Sequence, residues 1–178
     1  MAKRILLTVL TLLVIYSAVV IGVKVFEPEM MDDTAGSAVA ARAIDYETLK
    51  DYTLQSGASA IHYYFFWSSL NNDCMYVADT VLRDTEADTG MNLTDLIEVV
   101  DITDLEKNLT TNRLKSEWDV VSYPAFIACR VVNGKIVIDN KLEWNPAQPI
   151  SVNDLERWLI LNGLYESHNG DHIETPVP

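Results

Sequence analysis

Basic side chains and cysteines are both scarce in this chain of 178 residues. Lysine and arginine together number 13 against 26 aspartates and glutamates, which gives a formal net charge of -13. So acidic a surface repels phosphate backbones, and no run of basic residues offsets the repulsion, so we expect no nucleic-acid partner. The two cysteines permit at most one disulfide, and the core must therefore be stabilised by apolar burial.

Glycine and proline are also few, with seven and six residues, which excludes a collagen-like or low-complexity chain. We find no glycine-rich phosphate loop and expect no small-molecule cofactor. His168 and His172 could be drawn as a metal pair, but Asn169 and Gly170 between them disfavour the helix that such a spacing needs, so we expect no metal site. With 49% hydrophobic residues, the chain can nevertheless bury a core.

One long apolar segment stands near the N-terminus. Ile5 to Val23 carries no charge, and its 19 residues span about 28 Å as a helix, close to the ~30 Å of a bilayer's hydrocarbon layer. The sequence therefore predicts a transmembrane anchor over residues 5–25. A cleaved signal peptide is the alternative, but its apolar region would be about 7–15 residues long, and the sequence after Val23 is a poor cleavage context.

The charges beside this segment predict its orientation. Lys3 and Arg4 precede it and acidic residues follow it, so we expect residues 1–4 in the cytoplasm and the rest of the chain outside, bound to the cell membrane by a single pass. The acidic segment 26–43 lacks apolar periodicity, which predicts a flexible linker. Residues 166–178 are predicted to form a flexible tail. One domain remains between them, at 44–165.

Within this domain, strand-like and helix-like patterns alternate, which predicts an α/β fold with a mixed central sheet flanked by helices. In chain order the predicted elements are a helix from Tyr46 to the turn at Gly57, a strand over Ala60–Trp67, a helix around Cys74 to Leu82, a strand over Leu96–Ile102, a helix over Leu105–Leu114, a hairpin of Ala125–Val132 and Lys135–Ile138 around Asn133-Gly134, and a last helix capped by Ser151.

The spacing of several small motifs resembles the thioredoxin fold across residues 44–165. An aromatic strand ends in Phe66-Trp67, a short polar loop follows, Cys74 lies near the start of a helix, and Tyr123-Pro124 precedes a buried strand. Thioredoxins carry Cys-x-x-Cys after the Trp, at the spacing where this chain reads Asn71-Asn72-Asp73-Cys74. The resemblance thus implies an exported thioredoxin-like domain with a degenerate active site.

The difference at Asn71 affects the expected chemistry. In the family the first cysteine is the nucleophile and the second resolves the mixed disulfide, and an amide can do neither. Cys74 matches the resolving position and is the only candidate catalytic residue. The family's buried carboxylate, two residues before the Trp, corresponds here to Phe65. Two parts of the redox apparatus are therefore absent.

The resemblance also implies a cleft where an extended peptide can pair with exposed backbone. Its proline is cis in the family, which implies a cis bond before Pro124. The predicted cleft comprises Trp67, Asn71, Asn72, Asp73, Tyr123 and Pro124. Cys129, in the middle of an apolar strand, is expected to be a buried core residue that forms no bridge with Cys74.

These observations favour a membrane-tethered, extracytoplasmic binding or accessory module of a bacterial cell envelope, without dithiol redox activity. Its partner is expected to be a protein or peptide at the cell surface. One alternative is an enzyme that exchanges disulfides on exported proteins through Cys74 alone. A second alternative is a structural subunit of an envelope assembly.

Overall fold

The computed structural model describes residues 41–57 and 60–166. The predicted cytoplasmic N-terminus and anchor lie outside this range, as do nearly all of the predicted linker and tail. In the part of the chain that is described, no helix is both long enough and apolar enough to cross a membrane.

The elements alternate along the described chain as the sequence predicts. In chain order they are β1 (Ile44–Asp45), α1 (Tyr46–Gln55), β2 (Ile61–Trp67), α2 (Asn72–Tyr76), a π-helical segment (Val77–Leu82), α3 (Arg83–Thr89), a 3₁₀ turn (Leu93–Asp95), β3 (Glu98–Asp101), α4 (Thr103–Lys107), α5 (Asn112–Trp118), β4 (Ala125–Val132), β5 (Lys135–Glu143) and α6 (Val152–Leu161).

The strands form one mixed sheet in the order β1-β3-β2-β4-β5. Both β1 and β2 run parallel to β3, whereas β2 with β4 and β4 with β5 are antiparallel. The predicted mixed sheet is therefore confirmed, with β2 at its centre. The carboxyl ends of β2 and β3 and the start of β4 meet at one end of the sheet, which we call the upper end.

Two hydrophobic clusters cover the two faces of this sheet, because successive side chains of β2 point to opposite faces. Phe65 and Trp67 pack under α2, the π-helical segment and α6, while Tyr64 and Phe66 pack under α1 and α5. These four side chains are all buried, as a continuous apolar run predicts for a central strand.

The ends of the helices follow local capping chemistry. Asp45 accepts a hydrogen bond from the Glu47 backbone N–H at the start of α1. Ser151 and Asp154 form the reciprocal capping box at the start of α6, which confirms the predicted N-cap. Such a box pairs two backbone N–H groups that the helix itself leaves without partners.

The structure corrects three predicted elements. The single helix expected over Leu105–Leu114 is two short helices, α4 and α5, separated by a turn in which Leu109 has φ +56°. The last strand extends to Glu143 because its polar residues lie on the edge of the sheet, where water can reach them. The strand expected over Leu96–Ile102 is shorter, at Glu98–Asp101, and β1 was not predicted.

Candidate functional site

The candidate site begins with the loop between β2 and α2, which is tied to the neighbouring strand. The Ser69 backbone N–H donates to Oγ1 of Thr103 at 3.0 Å, and the Ile102 N–H donates to the Trp67 carbonyl at 2.9 Å. The buried Ser68 hydroxyl accepts from the Leu70 N–H at 3.2 Å. These bonds fix the loop against the start of α4 at the upper end.

Asn71 is the N-cap of α2. Its Oδ1 accepts hydrogen bonds from the backbone N–H groups of Asp73 at 2.8 Å and Cys74 at 3.1 Å. Asparagine is among the residues preferred at this position, because its side-chain oxygen pairs N–H groups that have no partner within the helix. Asn71 therefore has a structural role at the start of α2.

Cys74 is completely buried in the cluster under α2 and α6. Burial raises the pKa of its thiol to about 12; a backbone hydrogen bond from Ser68 opposes this shift, and the carboxylates of Glu106 and Asp73 add to it. The thiol is therefore protonated at neutral pH and has no open path to a substrate. This arrangement is unlike that of reactive cysteines, which are partly exposed and near positive charge.

Glu106 joins Cys74 and Tyr123 in one electrostatic group. Burial is the largest cause of the raised Tyr123 pKa, followed by the charges of Glu106 and Cys74. Oε2 of Glu106 is buried and forms no hydrogen bond in the described part of the chain. Sequence reasoning missed this carboxylate, because nothing in a short polar helix signals that one of its side chains turns toward the thiol.

The peptide bond between Tyr123 and Pro124 is cis, as the resemblance implies. Around it the loop is held from β5: a Glu143 carboxylate oxygen accepts from the backbone N–H groups of Val121 and Ser122. The Trp144 N–H donates to the Pro124 carbonyl at 3.0 Å. Glu143 was also missed, because its contact is made 21 residues away along the chain.

The main chain of Tyr123 is left open by these contacts. Neither its N–H nor its carbonyl has a hydrogen-bond partner among the described residues. Its ring is half-buried and contacts both hydrophobic clusters. The upper end thus presents one residue whose backbone N–H and carbonyl another chain could pair with.

The remaining predicted cleft residues fall into different places. Asn72 is exposed and Asp73 is half-buried in the first turn of α2, beside the loop. Trp67 is only 2% exposed, and its Nε1 has no partner among the described residues. It therefore packs beneath the site and does not line an open cleft, which corrects its expected role. The cause is the alternation of β2, which directs Trp67 under α2.

Cys129 is buried on the opposite face of the sheet from Cys74, in the cluster under α1 and α5. Both cysteines are free thiols, as the sequence predicts for this pair. Burial raises the pKa of Cys129 to about 12 as well. Within the described ranges no group of three or more histidine, cysteine or acidic side chains could hold a metal ion.

No protein-family model and no curated protein matches the chain. Among solved structures, Trichomonas vaginalis thioredoxin matches with 14% identity and a TM-score of 0.39, over 69% of this chain and 95% of that one. Plasmodium falciparum thioredoxin matches with 14% identity and a TM-score of 0.40, over 67% and 88%. The oxidised C-terminal domain of Neisseria meningitidis DsbD matches with 15% identity and a TM-score of 0.43, over 65% and 91%. At these identities the likeness concerns the path of the chain and implies nothing about its chemistry.

Proposed function

We propose that this protein is a thioredoxin-like binding module that pairs an extended segment of a partner protein with the backbone of Tyr123, and that it has no dithiol redox activity. The chain is tethered by residues 5–25 to the outer side of a cell membrane. The observation that carries the proposal is the main chain of Tyr123, whose N–H and carbonyl have no partner among the described residues.

Two features support binding at this position. The loop is already held in place by Glu143 and Trp144, so little conformational entropy has to be lost when a peptide pairs there. Main-chain hydrogen bonds supply affinity for any extended segment, and neighbouring side chains supply selectivity.

Two further features support the absence of redox chemistry. Asn71 cannot form or attack a disulfide, and its amide oxygen is engaged in capping α2. The only thiol near the site, Cys74, is buried with a raised pKa, which removes the thiolate that exchange requires. The enzyme alternative would need α2 to move before Cys74 could react.

A selection experiment tests the binding function. A random octapeptide library is displayed on phage and selected on the immobilised full chain, and hydrogen exchange is measured with and without the enriched peptides. We expect the Tyr123 amide to become protected, while the Val132 amide, at the other end of β4, is unchanged. Enriched peptides that leave the Tyr123 amide unprotected, or a library that yields none, would contradict the proposal.

A second experiment tests the enzyme alternative. The full chain and its Cys74→Ser variant are compared in a disulfide-reduction assay, and alkylation of Cys74 by iodoacetamide is followed against pH. We expect no reduction that depends on Cys74, and rapid alkylation only after unfolding in urea. Reduction that is lost in Cys74→Ser, with an alkylation midpoint well below about pH 8.5, would favour the enzyme.

A further inference from the structure

Three aliphatic side chains are exposed on the loops of the upper end. Leu70 follows β2 and is 55% exposed, Leu109 lies between α4 and α5 and is 89% exposed, and Val121 precedes β4 and is 66% exposed. Because β4 is antiparallel to β2, the loops that carry Leu70 and Val121 lie at the same end of the sheet. Leu109 follows α4, whose first residue, Thr103, is bonded to the loop after β2 at this end. We call these side chains the apolar rim. Grouped exposed apolar side chains commonly mark interaction surfaces.

Leu109 is held outward by its backbone. Its φ of +56° is uncommon for any residue with a side chain and is found where the surrounding structure enforces it. Its own N–H donates to the Glu106 carbonyl at 3.1 Å, and the next residue donates to the Leu105 carbonyl at 2.8 Å. The turn therefore keeps an aliphatic side chain in water, which costs free energy unless a partner covers it.

The charged side chains around the rim include two carboxylates without a basic partner among the described residues. Asp73 lies in the first turn of α2 and Glu106 lies in α4, whose start is bonded to the loop before α2, and neither forms an ion pair within the described residues. Two nearby lysines already form ion pairs: Lys107 on α4 with Asp104, and Lys141 on β5 with both Asp119 and Glu143.

A cavity of about 280 Å³ continues this acidic surface at the ends of β1 and β3. Asp45, Glu47, Asp101 and Asp104 contribute to its lining. Of these, Glu47 is paired with Arg113 and Asp104 with Lys107. The described residues as a whole hold 20 acidic and 10 basic side chains, so the potential at the upper end is negative.

We infer that the segment bound at the upper end is extended, aliphatic and positively charged. Aliphatic side chains of the partner cover the apolar rim, its main chain pairs with Tyr123, and its lysines or arginines face Asp73 and Glu106. This inference rests on the proposed function and adds the chemical class of the partner.

Three matched octapeptides test it, in which valine alternates with lysine, threonine or glutamate. Each carries the same fluorescent label, and its affinity for the full chain in uncharged detergent is measured by anisotropy. We expect the Lys-Val peptide to bind at least about fivefold more tightly than the Thr-Val peptide at low salt, and the Glu-Val peptide to bind most weakly. The difference should shrink at about 0.5 M salt.

Two double variants separate the site from the overall charge. Asp73→Asn with Glu106→Gln should weaken Lys-Val binding about fivefold and leave Thr-Val binding unchanged, which also shows that the variant is folded. Asp51→Asn with Asp88→Asn removes the same charge from exposed positions on α1 and α3 and should leave both affinities unchanged. Leu109→Ser with Val121→Ser should weaken both peptides alike.

The outcomes distinguish this inference from the proposed function. If the Thr-Val peptide binds as tightly as the Lys-Val peptide, the charge selectivity is wrong while pairing at Tyr123 stands. If the Asp51 and Asp88 variant weakens binding as much as the Asp73 and Glu106 variant, the attraction is non-specific and the inference is overturned. If none of the three peptides binds, the inference is also overturned, and the phage selection alone decides on the proposed function.

Discussion

Asn71 caps α2, because its side-chain oxygen accepts hydrogen bonds from the backbone N–H groups of Asp73 and Cys74. A cysteine there would leave those groups to water. The proposed absence of redox chemistry and the capping of α2 therefore both depend on this single residue. The cap also holds the first turn of α2, in which Cys74 is buried.

We predict that Asn71→Ala lowers the free energy of unfolding by about 1 kcal/mol, because it removes the cap of α2. Asn71→Ser should lower the free energy of unfolding by only about 0.3 kcal/mol, since a serine hydroxyl can cap the same groups. Urea denaturation at neutral pH measures both. Asn72→Ala serves as the control, because Asn72 is exposed one residue away and makes no capping bond. Equal losses for Asn71→Ala and Asn71→Ser would contradict the role of the cap.

At the scale of elements, the site depends on a contact between the end of β5 and the loop before β4. Glu143 accepts hydrogen bonds from two consecutive backbone N–H groups, those of Val121 and Ser122. Lys141 on the same strand bonds to the Asp119 carbonyl and carboxylate. The edge strand thus positions the loop that carries Tyr123.

We predict that Glu143→Ala releases this loop. The amides of Val121 and Ser122 lose a charged acceptor, so their hydrogen exchange should accelerate at least tenfold, and peptide affinity at Tyr123 should fall with it. Glu143→Gln should have a smaller effect, because the amide oxygen can still accept. Asp139→Asn, on the same strand but paired with Arg130, is the control and should leave both amides unchanged. Unaltered exchange in Glu143→Ala would show that the loop is held by other contacts.

At the scale of elements, local signals in the sequence predict much of the architecture. The apolar run of β2, the Asn133-Gly134 turn and the Ser151 cap are local signals, and each element they predict is present. The break between α4 and α5 was missed because the left-handed position is occupied by Leu109 and not by glycine or by the neighbouring Asn108. Long-range contacts explain the other omissions, since Glu106 and Glu143 acquire their roles only when distant segments meet.

At the scale of the whole molecule, the proposed anchor and the acidic domain are expected to contribute differently to location. The domain is strongly acidic and would be repelled by anionic headgroups, so attachment to a membrane has to come from residues 5–25.

We predict that the full chain sediments with membranes and resists extraction by high salt and by carbonate. A chain that begins at residue 44 should remain in the soluble fraction. Placing arginines at Leu12 and Val19 makes insertion unfavourable by several kcal/mol, so this variant should also become soluble. Protease added to intact cells or spheroplasts should remove the domain, if the basic flank lies in the cytoplasm. Release of a shortened domain from wild-type cells without protease would instead favour a cleaved signal peptide.

The stability of the whole domain at alkaline pH reports on its two buried thiols. Burial raises the pKa of Cys74 and of Cys129 to about 12, against about 8.5 in an unfolded chain. The pKa of each thiol is higher in the folded than in the unfolded chain, so burial of the protonated thiol stabilises the fold. This contribution is complete below about pH 8.5 and is lost as the pH rises toward 12. The free energy of unfolding should therefore fall by up to about 1.4 kcal/mol per pH unit for each thiol in that range. Cys74→Ala should be less stable at pH 7 but lose stability about half as steeply between about pH 9 and 10, as urea denaturation can measure. An unchanged slope would mean that Cys74 is exposed in solution, and the case for an inert site would fail with it.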